Sequence, residues 1–220
     1  MRDAGPEEAI RVAGGAEALA RESGVVSCGI MDEIDTARAQ EYALLATLLA
    51  RAPDAQLLSR LAGLQGDATP LGLAHVALAE AASRTSVERA EREYFDLFIG
   101  IGRGELLPYG SYYVSGFLYE RPLARLRASL SRLGVERSAG HAEPEDHAAI
   151  LCEIMAGLAG GRFSAPPQAQ REFFEHHVAP WMGRLFTDLE QAQAADFYRA
   201  TGTLGRVFIQ LETEAFALSA

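Results

Sequence analysis

Glu143-Pro144-Glu145-Asp146-His147 opens the stretch whose reading decides the fold, because a helical pattern runs on behind it through Leu158. Pro144 suits a first helical position, having no N–H to leave unsatisfied and a φ that is already helical. Glu145 and Asp146 then fall in the first turn, where carboxylates complement the positive end of the helix dipole. Ile150, Leu151, Ile154, Met155 and Leu158 recur at helical spacing as an apolar stripe. His147 falls on the edge of that stripe, with Asp146 about 100° round the helix. The spacing predicts a helix over 143–158 with an acid and an imidazole at the mouth of a buried face.

The same period extends to both sides. Upstream, Tyr42, Leu45, Leu48 and Leu49 share a face that ends before Pro53, and Asp54 is placed to cap a short helix carrying Leu57, Leu58 and Leu61. A third helix is expected over 70–82. Thr85-Ser86-Val87-Glu88 has the spacing of a capping box, followed by Val87, Glu91, Tyr94, Phe95 and Phe98 at helical period to near Gly100. The glycine-dense connection Ile99 to Gly110 leads to an aromatic segment, Ser111 to Tyr119, and then to a helix started by Pro122 with Leu123, Leu126, Leu130 and Leu133 on its buried face. Downstream, helices are expected over 167–178 and 180–193, and a last one from Ala195 with the stripe Phe197, Leu204, Phe208, Leu211, Ala215 and Leu218. No window alternates with period two for long enough to suggest a half-buried strand. The expectation is an all-α chain without a sheet, a compact bundle of about nine or ten helices. A single all-helical domain, 35–220, is expected to divide into halves 35–134 and 143–220 joined by a polar linker, Val135 to Ala142. Residues 1–34 are expected to form a loosely held extension, in which 7–22 has a helical but mostly alanine face.

The chain has 220 residues, 49% hydrophobic and 23% charged, which suits a globular domain with a substantial core. A net charge of −10 argues against nucleic acid, whose phosphates call for clustered cations, and favours a basic partner. Every cationic side chain is arginine. Cys28 and Cys152 form no tight pair and read as free thiols in a reducing compartment. No secretory signal or run of membrane-spanning length is evident, so a cytoplasmic protein without stable membrane insertion is expected.

Catalytic and metal motifs are mostly missing. A di-iron bundle needs Glu-x-x-His, but Pro144, Phe173 and Phe174 stand three residues before His147, His176 and His177. Zinc spacings do not occur. Gly100-Ile101-Gly102-Arg103-Gly104 follows a helix and lacks the lysine of a phosphate loop, so it reads as an interhelical connection. Asp146 and His147 allow two readings: a small enzyme's acid–base pair, or a dipole complement beside a packed histidine. No nucleophile, metal set or oxyanion donor accompanies them. No cofactor is expected.

Leu107-Pro108-Tyr109-Gly110-Ser111-Tyr112-Tyr113, then Glu120-Arg121-Pro122-Leu123, then Glu143-Pro144-Glu145-Asp146-His147 with Glu153, resembles the TorD/DmsD/NarJ family of cytoplasmic chaperones for molybdenum-cofactor oxidoreductases. Glu93-Tyr94-Phe95-Asp96-Leu97-Phe98, Phe173-Phe174 and Pro180-Trp181 fit the same pattern, so the resemblance covers roughly 36–217. It implies an all-helical, non-enzymatic chaperone. Such a protein binds the apo catalytic subunit of a molybdoenzyme, or its twin-arginine leader, until the molybdopterin cofactor is inserted. It further implies a ligand surface between the halves, with Tyr109, Ser111 and Tyr113 on one side and Glu143, Pro144, Asp146 and His147 on the other. Monomers and domain-swapped dimers both occur in the family, as does reported binding of guanine nucleotide. A non-catalytic scaffold that merely holds another subunit is the remaining alternative.

Overall fold

The computed structural model describes residues 9–12, 33–138, 143–163 and 165–218. Ten α-helices and one short ribbon are found among them. In chain order they are β1 (Ile10–Val12), α1 (Glu33–Ala50), α2 (Ala55–Ala62), α3 (Pro70–Arg84), α4 (Val87–Tyr94), α5 (Gly110–Ser115), α6 (Arg121–Leu133), β2 (Val135–Arg137), α7 (Ala148–Ala159), α8 (Pro167–Phe173), α9 (Met182–Gln191) and α10 (Phe197–Leu218). Both α4 and α8 run on into a single π-helical turn, Phe95–Ile99 and Phe174–Val178.

Local chemistry accounts for most of the boundaries. The Asp54 and Thr69 side chains accept from the backbone N–H of Leu57 and Gly72 and start α2 and α3. α4 starts one residue later than the capping-box spacing predicts. Ser86, not Thr85, accepts from Arg89 N–H, while Glu88 receives the Ser86 hydroxyl. Gly134 ends α6 in the left-handed region, at φ 64° and ψ 29°.

One apolar cluster runs through the molecule. α1 lies against α7, and α10 lies against α9, α3, α1 and α4, so elements from before and after 134–143 interlock. The α1 face is the one expected, with Tyr42, Leu45, Leu48 and Leu49 buried. The α10 face differs. Leu211 and Leu218 are 40% and 88% exposed, whereas Gly205, Ile209 and Glu212 are on the buried side. A Cβ at residue 205 would stand 2.3 Å from the Phe186 ring, so glycine is what lets α9 and α10 close. Glu212 is buried because its partners come with it. Arg38 donates to both carboxylate oxygens at 2.7 Å, and the Tyr42 hydroxyl donates to Oε2 at 2.9 Å.

A second acid holds the start of α10. The Glu93 carboxylate accepts from the backbone N–H groups of Asp196, Phe197 and Tyr198 at 2.7, 3.1 and 2.6 Å. Glu105 does the same for Gln193 and Ala194, at 2.7 and 3.0 Å. The turn between α9 and α10 is thus fastened by carboxylates from far earlier in the chain.

The ribbon is the departure from the strand-free expectation. Val135–Arg137 does not run as a plain polar linker. It pairs antiparallel with Ile10–Val12, and Ile10 and Val135 are buried in the core. Residues 10–12 are extended rather than helical, and the rest of the helix considered over 7–22 lies outside the described residues, as does 139–142 of the linker. Among the described residues no helix is long and apolar enough to cross a membrane.

Candidate functional site

The site forms where the segment before α5 meets the segment before α7. The glycine run folds back on the helix that precedes it: Glu105 and Leu106 donate N–H to the Asp96 and Leu97 carbonyls at 3.1 and 2.8 Å. Pro108 and Tyr109 then run extended. Ala148 donates to the Pro108 carbonyl at 2.8 Å and Gly110 to the Asp146 carbonyl at 2.9 Å, which makes an isolated antiparallel bridge between Tyr109 and His147.

That bridge overturns the helix predicted from 143. Helix α7 begins only at Ala148, with His147 as its N-cap at φ −65° and ψ 137°. The His147 Nδ1 accepts the Ala149 N–H at 3.1 Å. Pro144 is therefore not a first helical residue and Asp146 does not lie in the first turn. The Asp146 Oδ2 instead accepts the Ser111 N–H at 2.7 Å, capping α5 from 35 residues away. A proline and two acids have the local signature of a helix start, but the long-range bridge holds them in a turn, closed by His147 N–H to the Pro144 carbonyl at 3.1 Å.

All seven residues expected at the site lie along this junction, at different depths. Ser111, Pro144, Asp146 and His147 are buried, the two titratable ones 3% and 7% exposed, and form the floor. Tyr109 and Tyr113 are half-buried and Glu143 is exposed. The Tyr109 ring meets the His147 ring edge-on at 5.1 Å and its hydroxyl donates to Glu143 Oε2 at 2.5 Å. Tyr113 faces α9. Its hydroxyl donates to Asp188 Oδ2 at 2.9 Å, its ring stacks on Trp181 at 5.5 Å, and the Arg184 guanidinium lies 5.6 Å from the ring centre. Gly110 lets the indole approach, since a Cβ there would be 3.0 Å from Trp181 Nε1.

Beside this junction is an open groove of about 380 Å³, lined among others by Arg103, Leu106, Leu107, Tyr112, Tyr113 and Asp188. Next to it Val114, Phe117 and Tyr119 are 53%, 70% and 70% exposed, a concentration of apolar surface on one short stretch. Tyr119 is held at φ 61°, an unusual conformation for a side chain of this size. The acid–base reading gains nothing from this layout. Neither Asp146 nor His147 lines the groove, and His147 spends Nδ1 on its own helix. Sequence reasoning missed Arg103, Arg184 and Asp188. Arg184 and Asp188 are one turn apart on an amphipathic helix, which was the available signal.

Burial lowers the His147 pKa to about 4, against the opposing pull of Glu143 and Asp146. The His177 pKa is also lowered to about 4, first by burial and then by His176 and Arg132. Both imidazoles are thus neutral in the fold at pH 7, while the unfolded chain takes up protons near pH 6.5. Between those values the unfolded state binds more protons, so stability is complete above about pH 6.5 and falls as pH drops toward 4. Protonation at Nδ1 also removes the acceptor that starts α7. Urea midpoints measured across that window are expected to fall steeply, and less steeply in His147→Asn, whose side-chain oxygen keeps the cap without titrating. Equal slopes would mean that His147 is not the group responsible.

Comparison with known proteins gives a consistent picture. The family described as nitrate reductase delta subunit matches residues 64–187. Chaperone protein TorD of Vibrio cholerae serotype O1 is 33% identical over 127 residues, 54% of this chain and 58% of that protein, so the chain spans little more than half the relative's length. Chaperone protein TorD of Shewanella loihica is 25% identical over 202 residues, 81% of this chain and 92% of the relative. The crystal structure of a candidate redox enzyme maturation protein from Archaeoglobus fulgidus superposes with a TM-score of 0.51 at 20% identity, over 80% of this chain and 93% of that one, and shows a shared fold.

Proposed function

Because the chain belongs to the TorD/DmsD/NarJ family, we propose that it is a chaperone dedicated to one molybdenum enzyme. It binds the apo catalytic subunit, its twin-arginine leader, or both, and keeps the subunit from proceeding until the molybdopterin cofactor is in place. It works by binding alone, in the cytoplasm, and without a cofactor of its own. The observation that carries this reading is the junction at Asp146 and His147. Two buried side chains fix the segment that presents Tyr109, Tyr112 and Tyr113 beside an open groove, with exposed Phe117 and Tyr119 alongside. Rigid aromatic groups with polar tips suit peptide recognition, because they supply contact area at small conformational cost. Acidic groups, Glu105 and Asp188 in the groove lining and exposed Glu143 beside Tyr109, suit a ligand carrying guanidinium groups, and the net charge of −10 favours the approach of such a ligand.

In this role Tyr109, Tyr113 and Glu143 touch the client, whereas Ser111, Pro144, Asp146 and His147 act through them as positioning residues. The test is affinity capture of the tagged chain from its native cells, with mass spectrometry of the captured proteins and molybdenum quantification. A single molybdoenzyme catalytic subunit, recovered largely without metal, is the expected result and would name the client. Absence of any such subunit from cells that express molybdoenzymes would overturn the reading.

A further inference from the structure

The link between α5 and α6 holds its side chains outward against the preference of its own backbone. Gly116 closes α5 in the left-handed region at φ 82°, and the Ser115 hydroxyl donates to the Phe117 carbonyl at 3.2 Å. Tyr119 then adopts φ 61°, the one positive value at a residue other than glycine among those described. In that region the Cβ of an L-residue crowds the following carbonyl oxygen, which glycine avoids and asparagine tolerates. Nothing inside the fold compensates. Tyr119 is 70% exposed, and among the described residues its hydroxyl has no hydrogen bond and its ring no ring contact. Phe117 is equally exposed and its ring equally alone. Strained conformations of this kind cluster where a protein meets its ligands.

Tyr119 also adjoins the site described above. Burial, and after it the Glu143 carboxylate, push the Tyr109 phenol above its ordinary range, and the Tyr119 hydroxyl is near enough to add to the shift. The charges that follow Tyr119 are nevertheless of the other sign. From Phe117 to Leu133 the chain sets four arginines against a single acid, Glu120. Arg121 and Arg125 are exposed and about 40° apart round α6, away from buried Leu123, Leu126 and Leu130. Neither has an ion pair among the described residues.

We propose, resting on the chaperone reading, that Phe117 and Tyr119 are a second anchor for the client and seat an apolar stretch of its catalytic subunit that is bordered by acids. Glu105, Asp188 and Glu143 suit guanidinium groups, whereas Arg121 and Arg125 repel them and attract carboxylates. The arginine-bearing segment of a client and its apolar, acid-bordered segment therefore go to different places on one surface. Two rings two residues apart supply contact area with few rotatable bonds. The left-handed turn fixes where the Tyr119 ring stands before the client arrives, which lowers the ordering cost of binding. A client held at both places gains from the linkage, since the second contact forms within the complex.

The test uses the tagged full-length protein in its native cells, read as the molybdoenzyme catalytic subunit captured per mole of bait, beside urea midpoints of the purified variants. Tyr119→Asn and Tyr119→Gly are expected to have midpoints at or above that of the wild type, yet to capture about tenfold less subunit. Tyr119→Phe keeps the ring and is expected to capture within about twofold of wild type. Stability and capture moving in opposite directions is the mark of a contact residue, which a structural role would not give. Arg121→Glu with Arg125→Glu is expected to lower capture about tenfold as well. Benzoylphenylalanine in place of Tyr119 then identifies the occupant. On irradiation it is expected to cross-link to an apolar stretch of the catalytic subunit bordered by aspartate or glutamate. Cross-linking to a twin-arginine leader or to a second copy of the bait would overturn the proposal. So would wild-type capture by Tyr119→Asn or by the double arginine variant, or midpoints of the asparagine and glycine variants both well below wild type. In each of these cases a wild-type bait that captures the subunit leaves the chaperone reading standing. A wild-type bait that captures none removes both.

Discussion

Asp146→Ala is expected to reduce client capture at least tenfold while leaving the helical content intact. The substitution removes the acceptor of the Ser111 N–H, in a place where Asp146 itself is only 3% exposed. A buried donor left without a partner costs about 1–3 kcal/mol, and that cost falls on the segment carrying Tyr109 to Tyr113. Helix α5 is short and has no side-chain cap of its own, so it has little else to start it. The segment then samples other conformations, and binding weakens by whatever ordering the client must supply. Asp146→Asn separates position from charge. Its side-chain oxygen still accepts from Ser111, so capture close to wild type identifies Asp146 as a positioning residue. Loss as deep as in the alanine variant would mean that the carboxylate charge itself meets the client. Faster amide exchange at Gly110 to Tyr113 in the alanine variant, and not in the asparagine one, is the accompanying structural readout.

Glu93→Ala is expected to be the most destabilising change, by about 3 kcal/mol, because three backbone donors at the start of the longest helix lose one shared acceptor. Two of those donors belong to Phe197 and Tyr198, whose side chains are almost fully buried, so the helix end cannot simply turn toward water. Glu93→Gln retains one accepting oxygen and should fall between. Glu105→Ala should cost less, since its two donors lie in an exposed turn. The measurement is the shift of the urea midpoint at constant m. A Glu93→Ala protein within about 0.5 kcal/mol of wild type, the range of an ordinary surface substitution, would show that water replaces the carboxylate there.

These two acids also mark where sequence reading stops. Helices α2 and α3 were legible because their signals are local: Asp54 three residues before its donor, and Pro70 at a first turn. The apolar period of α7 was equally local, and so was the pairing of Tyr42 with its leucines. The turn at 143–147 was not. Its decisive partners, Pro108 to Ser111, are more than 30 residues away in the chain, and nothing near Pro144 indicates that its helix start is pre-empted. Glu93 reads as one more polar residue on an amphipathic helix until Asp196 to Tyr198 are folded over it. Glu212 reads as solvated until Arg38 and Tyr42 arrive from the first helix. For the same reason the sequence named the residues of the candidate site but not their depth. Four of the seven, Ser111, Pro144, Asp146 and His147, are buried beneath the junction.

The interlocking of α10 with α1, α3 and α4 has a bearing on how the chain is made. On a ribosome the chain emerges from its N-terminus at about 5–20 residues per second, and partners of Tyr42 and Glu93, like the helix that packs on α3, lie in 196–218. Before that segment is synthesised, a tyrosine hydroxyl lacks its acceptor, a carboxylate lacks its donors and a leucine surface lies open. The early helices therefore wait, incomplete, for α10, whose arrival supplies these missing partners. A protein that we propose shelters another's unfinished chain thus has a vulnerable interval of its own, set by the distance along the sequence between its first and last helices.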